Sequence, residues 1–203
     1  MVGNEVRFNS LRGLEINTST CTRCRLSATR KNVVPGEGPE KAELMFVGEG
    51  PGSEEDATGR PFVGRAGRLL DQAMKEADIR REDVYITNLV KCRPPDNRQP
   101  MEDEIDACHD FLVAQIEFVD PVIVCTLGAT ALMRVLGKRG ISSHRGRIFR
   151  LSGRIIVPTF HPAGALRNPL LKPFFLSDVK EVGRLITSRE AYGKDRRDQT
   201  LFG

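Results

Sequence analysis

Four of the chain's five cysteines stand at spacings that suit a metal centre. Cys21-Thr22-Arg23-Cys24 is a C-x2-C pair, Cys92 lies in Lys91-Cys92-Arg93-Pro94-Pro95, and Cys108 follows in a helical pattern. A C-x2-C pair alone says little. Two further cysteines that flank a Pro-rich loop and a helix start complete four thiolates, the number required by both a structural zinc and a 4Fe-4S cluster. Spacing does not separate these two metals. Cys108 also fits the apolar face of its own helix, where a lone cysteine is ordinarily a core residue. The fifth, Cys125, sits in the apolar run Val122 to Leu127 and reads as a small buried hydrophobe.

A second set of residues could bind and react with a ligand. Gly48-Glu49-Gly50-Pro51-Gly52 follows an apolar run directly, and its glycines let backbone N–H groups approach a ligand closely. It lacks the Walker lysine and the G-x-G-x-x-G spacing, so it is a poor nucleotide loop, and a plain tight turn is the competing reading. Phe62 lies in Thr58-Gly59-Arg60-Pro61-Phe62-Val63-Gly64, among residues too small or too polar to bury a ring well. It reads either as a core anchor or as a face on which a base stacks. Asn88 and His161 each end a β-rich run. Either alone is ordinarily a satisfied structural side chain.

These candidates gain weight from the elements that must position them. Leu44 to Gly48, Val84 to Thr87, Val122 to Leu127 and Ile155 to Thr159 are continuous apolar runs, the pattern of parallel strands covered on both faces. Helical patterns at 63–77, 101–119, 129–137 and 174–188 fall between or after them. The second is bounded by Pro100 and an acidic first turn, and by Asp120-Pro121. Alternation of strand and helix predicts a three-layer α/β/α sandwich around a four-stranded parallel sheet. In such sheets ligands bind beyond the carboxyl ends of the strands, where the glycine loop, Asn88 and His161 converge.

The chain has 203 residues, 39% hydrophobic, which suits a single domain over 1–188 with a polar tail at 189–203. No apolar stretch reaches membrane-spanning length, and charges occupy the start where a signal peptide needs an apolar core. The expectation is a cytoplasmic, monomeric protein. A net charge of +4 permits a polyanionic partner without requiring one. Basic residues gather at Lys91 to Arg98, at Lys138 to Arg154 and at Arg167.

Taken in order, four stretches make the chain resemble the family 4 uracil-DNA glycosylases, from about Cys21 to Arg184. They are the glycine loop with Glu54, Glu55 and Asp56; Thr58 to Gly64; Asn88-Leu89-Val90-Lys91-Cys92-Arg93-Pro94-Pro95; and His161-Pro162-Ala163. The resemblance implies a four-stranded parallel sheet and a structural 4Fe-4S cluster on Cys21, Cys24, Cys92 and Cys108. It implies that Phe62 stacks on an extruded uracil, that Asn88 reads its Watson–Crick edge and that His161 hydrogen-bonds O2. Glu49 would stand near the attacking water. Many relatives in the superfamily carry Asp in this motif where this chain has Gly50. Arg93, Arg98, Leu166 and Arg167 would contact uracil-containing single- or double-stranded DNA, with Leu166 as the inserting wedge because Ala165 replaces a Leu common in relatives. No lysine nucleophile is called for, and no strand-cutting step. A non-catalytic metal-bearing nucleic-acid binder is the rival reading; it explains the cysteines but not the strand-end residues. The tail pattern Gln199-Thr200-Leu201-Phe202 resembles peptides that dock on DNA sliding clamps.

Overall fold

The computed structural model describes residues 8–188. Its sheet contains β1 (Leu44–Gly48), β2 (Tyr85–Asn88), β3 (Ile123–Leu127), β4 (Phe149–Leu151) and β5 (Arg154–Thr159), in the order β2-β1-β3-β5-β4. The first, second, third and fifth strands run parallel. The expected four-stranded sheet is thus extended to five, because β4 pairs antiparallel with β5. Its run of three residues is too short to show a period. The turn that makes it possible is Ser152-Gly153, with φ of 52° and 71°, the left-handed pair that a tight hairpin requires.

The helices are α1 (Leu11–Ser19), α2 (Ser53–Thr58), α3 (Arg65–Glu76), α4 (Glu102–Val119), α5 (Ala129–Leu136), α6 (Ile141–His144), α7 (Pro162–Arg167) and α8 (Lys172–Thr187). None of the described helices is long and apolar enough to cross a membrane. Alternate strand residues feed two separate cores, which is why the strand sequences are apolar throughout. Phe46, Ile86, Cys125 and Val157 pack on the face that holds Leu70 of α3 and Phe175 of α8. Met45, Tyr85, Val124 and Ile156 pack on the other, with Leu14 of α1 and Leu112 of α4. Each large side chain fully buried this way contributes roughly 1.5–3 kcal/mol. Cys125, a smaller side chain, is fully buried on the first face, as its sequence context predicts.

Local chemistry sets where the helices begin. Glu104 reaches back to accept from the Met101 N–H at 2.8 Å and starts α4, which ends at Asp120 in a left-handed conformation, φ 50°. At α7 the His161 side chain caps the Ala163 N–H, and Pro162 takes the first helical position, where its missing donor costs nothing. The chain therefore turns sharply after β5. His161 is held at the carboxyl edge of the sheet.

Candidate active site

Beyond the carboxyl ends of the parallel strands lies a cleft of about 640 Å³, lined by Glu49, Phe62, Asn88, Thr130, His161 and Leu166 among others. This is the size of a small-ligand site, and it collects the strand-end candidates from β1, β2 and β5 in one place. Asn88 is only 1% exposed, and its Oδ1 has no hydrogen-bond partner. A buried carbonyl oxygen left without a donor costs free energy unless a ligand supplies one. A Cβ at Gly48 would collide with that oxygen and with the Phe62 ring, so only glycine permits strand, amide and ring to meet.

Phe62 is held in an unfavourable backbone conformation, φ 50°, which is rare for a bulky side chain. Two groups stabilise it. Glu55 Oε1 accepts from the N–H groups of Val63 (2.9 Å) and Gly64 (2.8 Å), while Arg81 donates to the carbonyls of Pro61 (2.6 Å) and Phe62 (3.2 Å). The other carboxylate oxygen of Glu55 accepts from Gly52 N–H at 3.0 Å and so ties the glycine loop to the phenylalanine turn. The Phe62 and His161 rings lie 5.9 Å apart and are tilted by 34°.

His161 is half-buried, and its Nδ1 accepts from the Ala163 N–H at 3.1 Å. An accepting Nδ1 leaves the ring proton on Nε2, so the imidazole is a neutral donor. Desolvation, with the nearby Arg167 charge, pushes its pKa down to about 4. Glu49 is fixed by Thr130, whose hydroxyl donates to Oε2 at 2.5 Å. Gly50 contributes no side chain, and a Cβ there would meet Val90 Cγ2 at 2.8 Å. The only carboxylate this part of the loop presents is therefore that of Glu49.

Along the rim, Leu166 is 38% exposed and borders the cleft, while Ala165 is 2% exposed and packs into the core. Arg167 carries no ion pair among the described residues. Arg93 is oriented by Asn97 Oδ1 at 2.8 Å. Arg98 also lines the cleft, but its guanidinium is engaged in two bonds, at 2.7 and 2.8 Å, to the buried carboxylate of Glu104. Arg65, exposed and also lining the cleft, carried no signal in the sequence. The roles of Thr130, Glu55 and Arg81 were not legible for a different reason. Each acts through contacts that form only on folding, and only a threonine three positions past β3 hinted at the first.

The four paired or clustered cysteines meet on the α1–α4 side of the sheet. Cys92 and Cys108 are buried, and Cys21 and Cys24 are half-buried. Cys92 lies within electrostatic reach of both Cys21 and Cys24, and Cys108 within reach of Cys92 and Cys24. Among the described residues no three such side chains are close enough to hold a single metal ion. Burial pushes the Cys108 thiol up to about 11 and raises that of Cys92. Donors already face the sulfurs: Arg30 to Cys92 Sγ at 3.2 Å, and the Lys91 N–H to Cys108 Sγ at 3.3 Å. A guanidinium and an N–H donor against these sulfurs suit thiolates that would carry negative charge when they bind a metal centre.

Comparison with known proteins agrees with this geometry. A family model described as the uracil DNA glycosylase superfamily matches residues 35–181. The type-4 uracil-DNA glycosylase of Thermotoga maritima is 52% identical over 171 residues, 82% of this chain and 89% of that protein. That of Sulfurisphaera tokodaii is 44% identical over 198 residues, 93% and 90% of the two chains, and that of Saccharolobus solfataricus 45% over 179 residues, 83% of each. With a strand-end cleft, a four-cysteine centre and relatives of this closeness over most of its length, the chain belongs to the type-4 family of the uracil-DNA glycosylase superfamily.

Proposed function

We propose that this protein excises uracil from DNA by hydrolysing the N-glycosidic bond, leaving free uracil and an abasic site. The observation that carries the reading is the unpartnered, buried Asn88 Oδ1 in a cleft that also holds an aromatic face and a neutral imidazole N–H. Uracil offers N3–H to that oxygen and O4 to the Asn88 amide N–H, while its face covers Phe62. Extrusion of the nucleotide costs a few kcal/mol, less at a mispair, and contacts to flanking phosphates offset it. Arg93 and Arg167 suit that role, with Arg98 placed by Glu104 beside them. Leu166, at the rim, fills the space the base vacates.

As the bond from C1′ to N1 breaks, negative charge gathers on the uracil ring and positive character on the sugar. His161 Nε2–H donates to O2, and because the donor is fixed before reaction no reorganisation is needed. Glu49, with its carboxylate held by Thr130, orients the water that adds to C1′. The electrons of the broken bond leave with uracil, the water gives up a proton to solvent, and the uracil anion takes one up to leave as free uracil. Cys21, Cys24, Cys92 and Cys108 would hold a 4Fe-4S cluster, which serves as a structural tie. Residues 1–188 act as one domain in a monomer. The suggested clamp-docking segment, Asp198 to Gly203, lies outside the described residues; titration of a sliding clamp with the full chain and with one ending at Arg197 should show affinity only for the former.

Release of free uracil from a uracil-bearing oligonucleotide, without added metal or nucleotide, tests the function and separates it from simple nucleic-acid binding. Asn88→Asp tests the base reading. A carboxylate lacks the donor for O4, so uracil excision should fall by about tenfold to a hundredfold and the preference for uracil over cytosine should shrink. Competition between the two bases in one duplex measures this. Unchanged preference would assign base reading to the backbone.

A further inference from the structure

Lys91 is 0% exposed, yet no carboxylate is among its hydrogen-bond partners. Its ammonium donates to three oxygens: Asn88 O at 2.6 Å, Gln115 Oε1 at 2.6 Å and Thr87 Oγ1 at 2.7 Å. Those acceptors are held in turn. Thr87 Oγ1 donates to Pro35 O at 2.9 Å, and Gln115 Nε2 donates to Pro35 O at 2.7 Å and to Tyr85 OH at 3.1 Å. The backbone of the same lysine faces the cysteine centre, with its N–H on Cys108 Sγ at 3.3 Å and its carbonyl accepting from Val34 at 2.8 Å. A buried ammonium is costly and persists only where its donors are satisfied, as they are by the three short bonds here.

The segment it braces is the one that carries Asn88. Past the end of β2, Leu89 N–H still bonds Gly48 O at 2.9 Å and Val90 N–H bonds Glu49 O at 3.2 Å. The Asn88 peptide is thus fixed on the N–H side of Leu89 by the glycine loop and on its carbonyl oxygen by Lys91. The side-chain Oδ1 has no protein partner to hold it. Its direction depends on its backbone.

We infer that Lys91 is a positioning residue for uracil recognition, tying the Asn88 carbonyl to the cysteine centre so that the Asn88 amide stays aimed into the cleft. This rests on Asn88 reading the base. The test uses the full-length, iron-loaded protein and Lys91→Met, which keeps the length of the side chain and removes the donors. Iron per chain and binding to abasic-site DNA should match the wild type. Inhibition by free uracil should weaken by about tenfold, as loss of a charged hydrogen-bond donor implies, with a parallel fall in kcat/KM. Thr87→Val is the second variant, since it leaves the ammonium in place and removes one acceptor; it should show the same pattern at a few-fold. Unaltered inhibition by uracil in either folded variant overturns the inference. So does loss of iron from Lys91→Met, because the lysine would then serve the cysteine centre alone. Asn88→Ala run alongside distinguishes failure of the underlying reading: if it too binds uracil normally, base recognition lies elsewhere and the positioning role falls with it.

Discussion

His161→Ala is expected to slow bond cleavage by roughly 100-fold to 1000-fold in single-turnover experiments while binding to abasic product DNA stays near wild type. The reason is the timing of charge. O2 of uracil is only weakly basic in the bound substrate and becomes strongly so as the glycosidic bond breaks, so a donor aimed at it acts mainly on the transition state. The Ala163 N–H bond to Nδ1 keeps the proton on Nε2 and keeps the ring in place. With its pKa down at about 4, the imidazole is neutral at working pH, and the rate should show no break near the ordinary histidine value of 6.5. A bell-shaped profile centred there, or a variant with near wild-type single-turnover rate, would remove His161 from this role.

The same shift has a thermodynamic consequence of definite sign. Below pH 6.5 the unfolded chain protonates His161, while the folded chain resists until about pH 4. Stability therefore falls as pH drops through that window, by an upper limit of about 3 kcal/mol set by 1.36 kcal/mol per unit. His161→Ala lacks this term, so its Tm should decline less steeply between pH 6.5 and 4 than that of the wild type.

Which parts of this arrangement the sequence disclosed follows from how local each signal is. The four parallel strands were legible because both faces of each are buried, which leaves uninterrupted apolar runs. Asn88 and His161 stood out as polar residues at the ends of such runs. β4 was not seen, since Phe149-Arg150-Leu151 is too short to establish a period. α1 was missed as well, its apolar Leu11 and Leu14 being outnumbered by polar neighbours. The spread of the cysteine ligands along the chain was visible, but not the donors that face them. Arg30 and the Lys91 N–H reach the sulfurs only in the folded chain, across 62 and 17 positions of sequence. For the same reason no sequence pattern linked Glu55 to Phe62 or Thr130 to Glu49.

Cys92→Ala and Cys108→Ala should each cost the protein its iron and most of its thermal stability together. Cys21 and Cys24 follow α1, Cys92 follows the Asn88 segment and Cys108 lies within α4, so a cluster held by all four would join three stretches that are distant in sequence. Binding energy of a structural metal is folding energy, about 10–16 kcal/mol in small zinc domains, whereas an entire domain is stable by only about 5–15 kcal/mol. Even a fraction of that term decides whether the α1–α4 side of the sheet stays folded. The raised thiol pKa values point the same way, because without a metal these sulfurs are protonated and buried, with N–H donors aimed at groups that are poor acceptors. Cys125→Ala provides the contrast. It removes one buried sulfur from the opposite core, leaves the four ligands intact and should keep full iron with a modest drop in Tm. Iron per chain and melting temperature, measured on all three variants, decide the matter: a Cys92 or Cys108 variant with full iron and an unchanged Tm is not missing a ligand, and iron lost from Cys125→Ala would move the centre to another set of sulfurs.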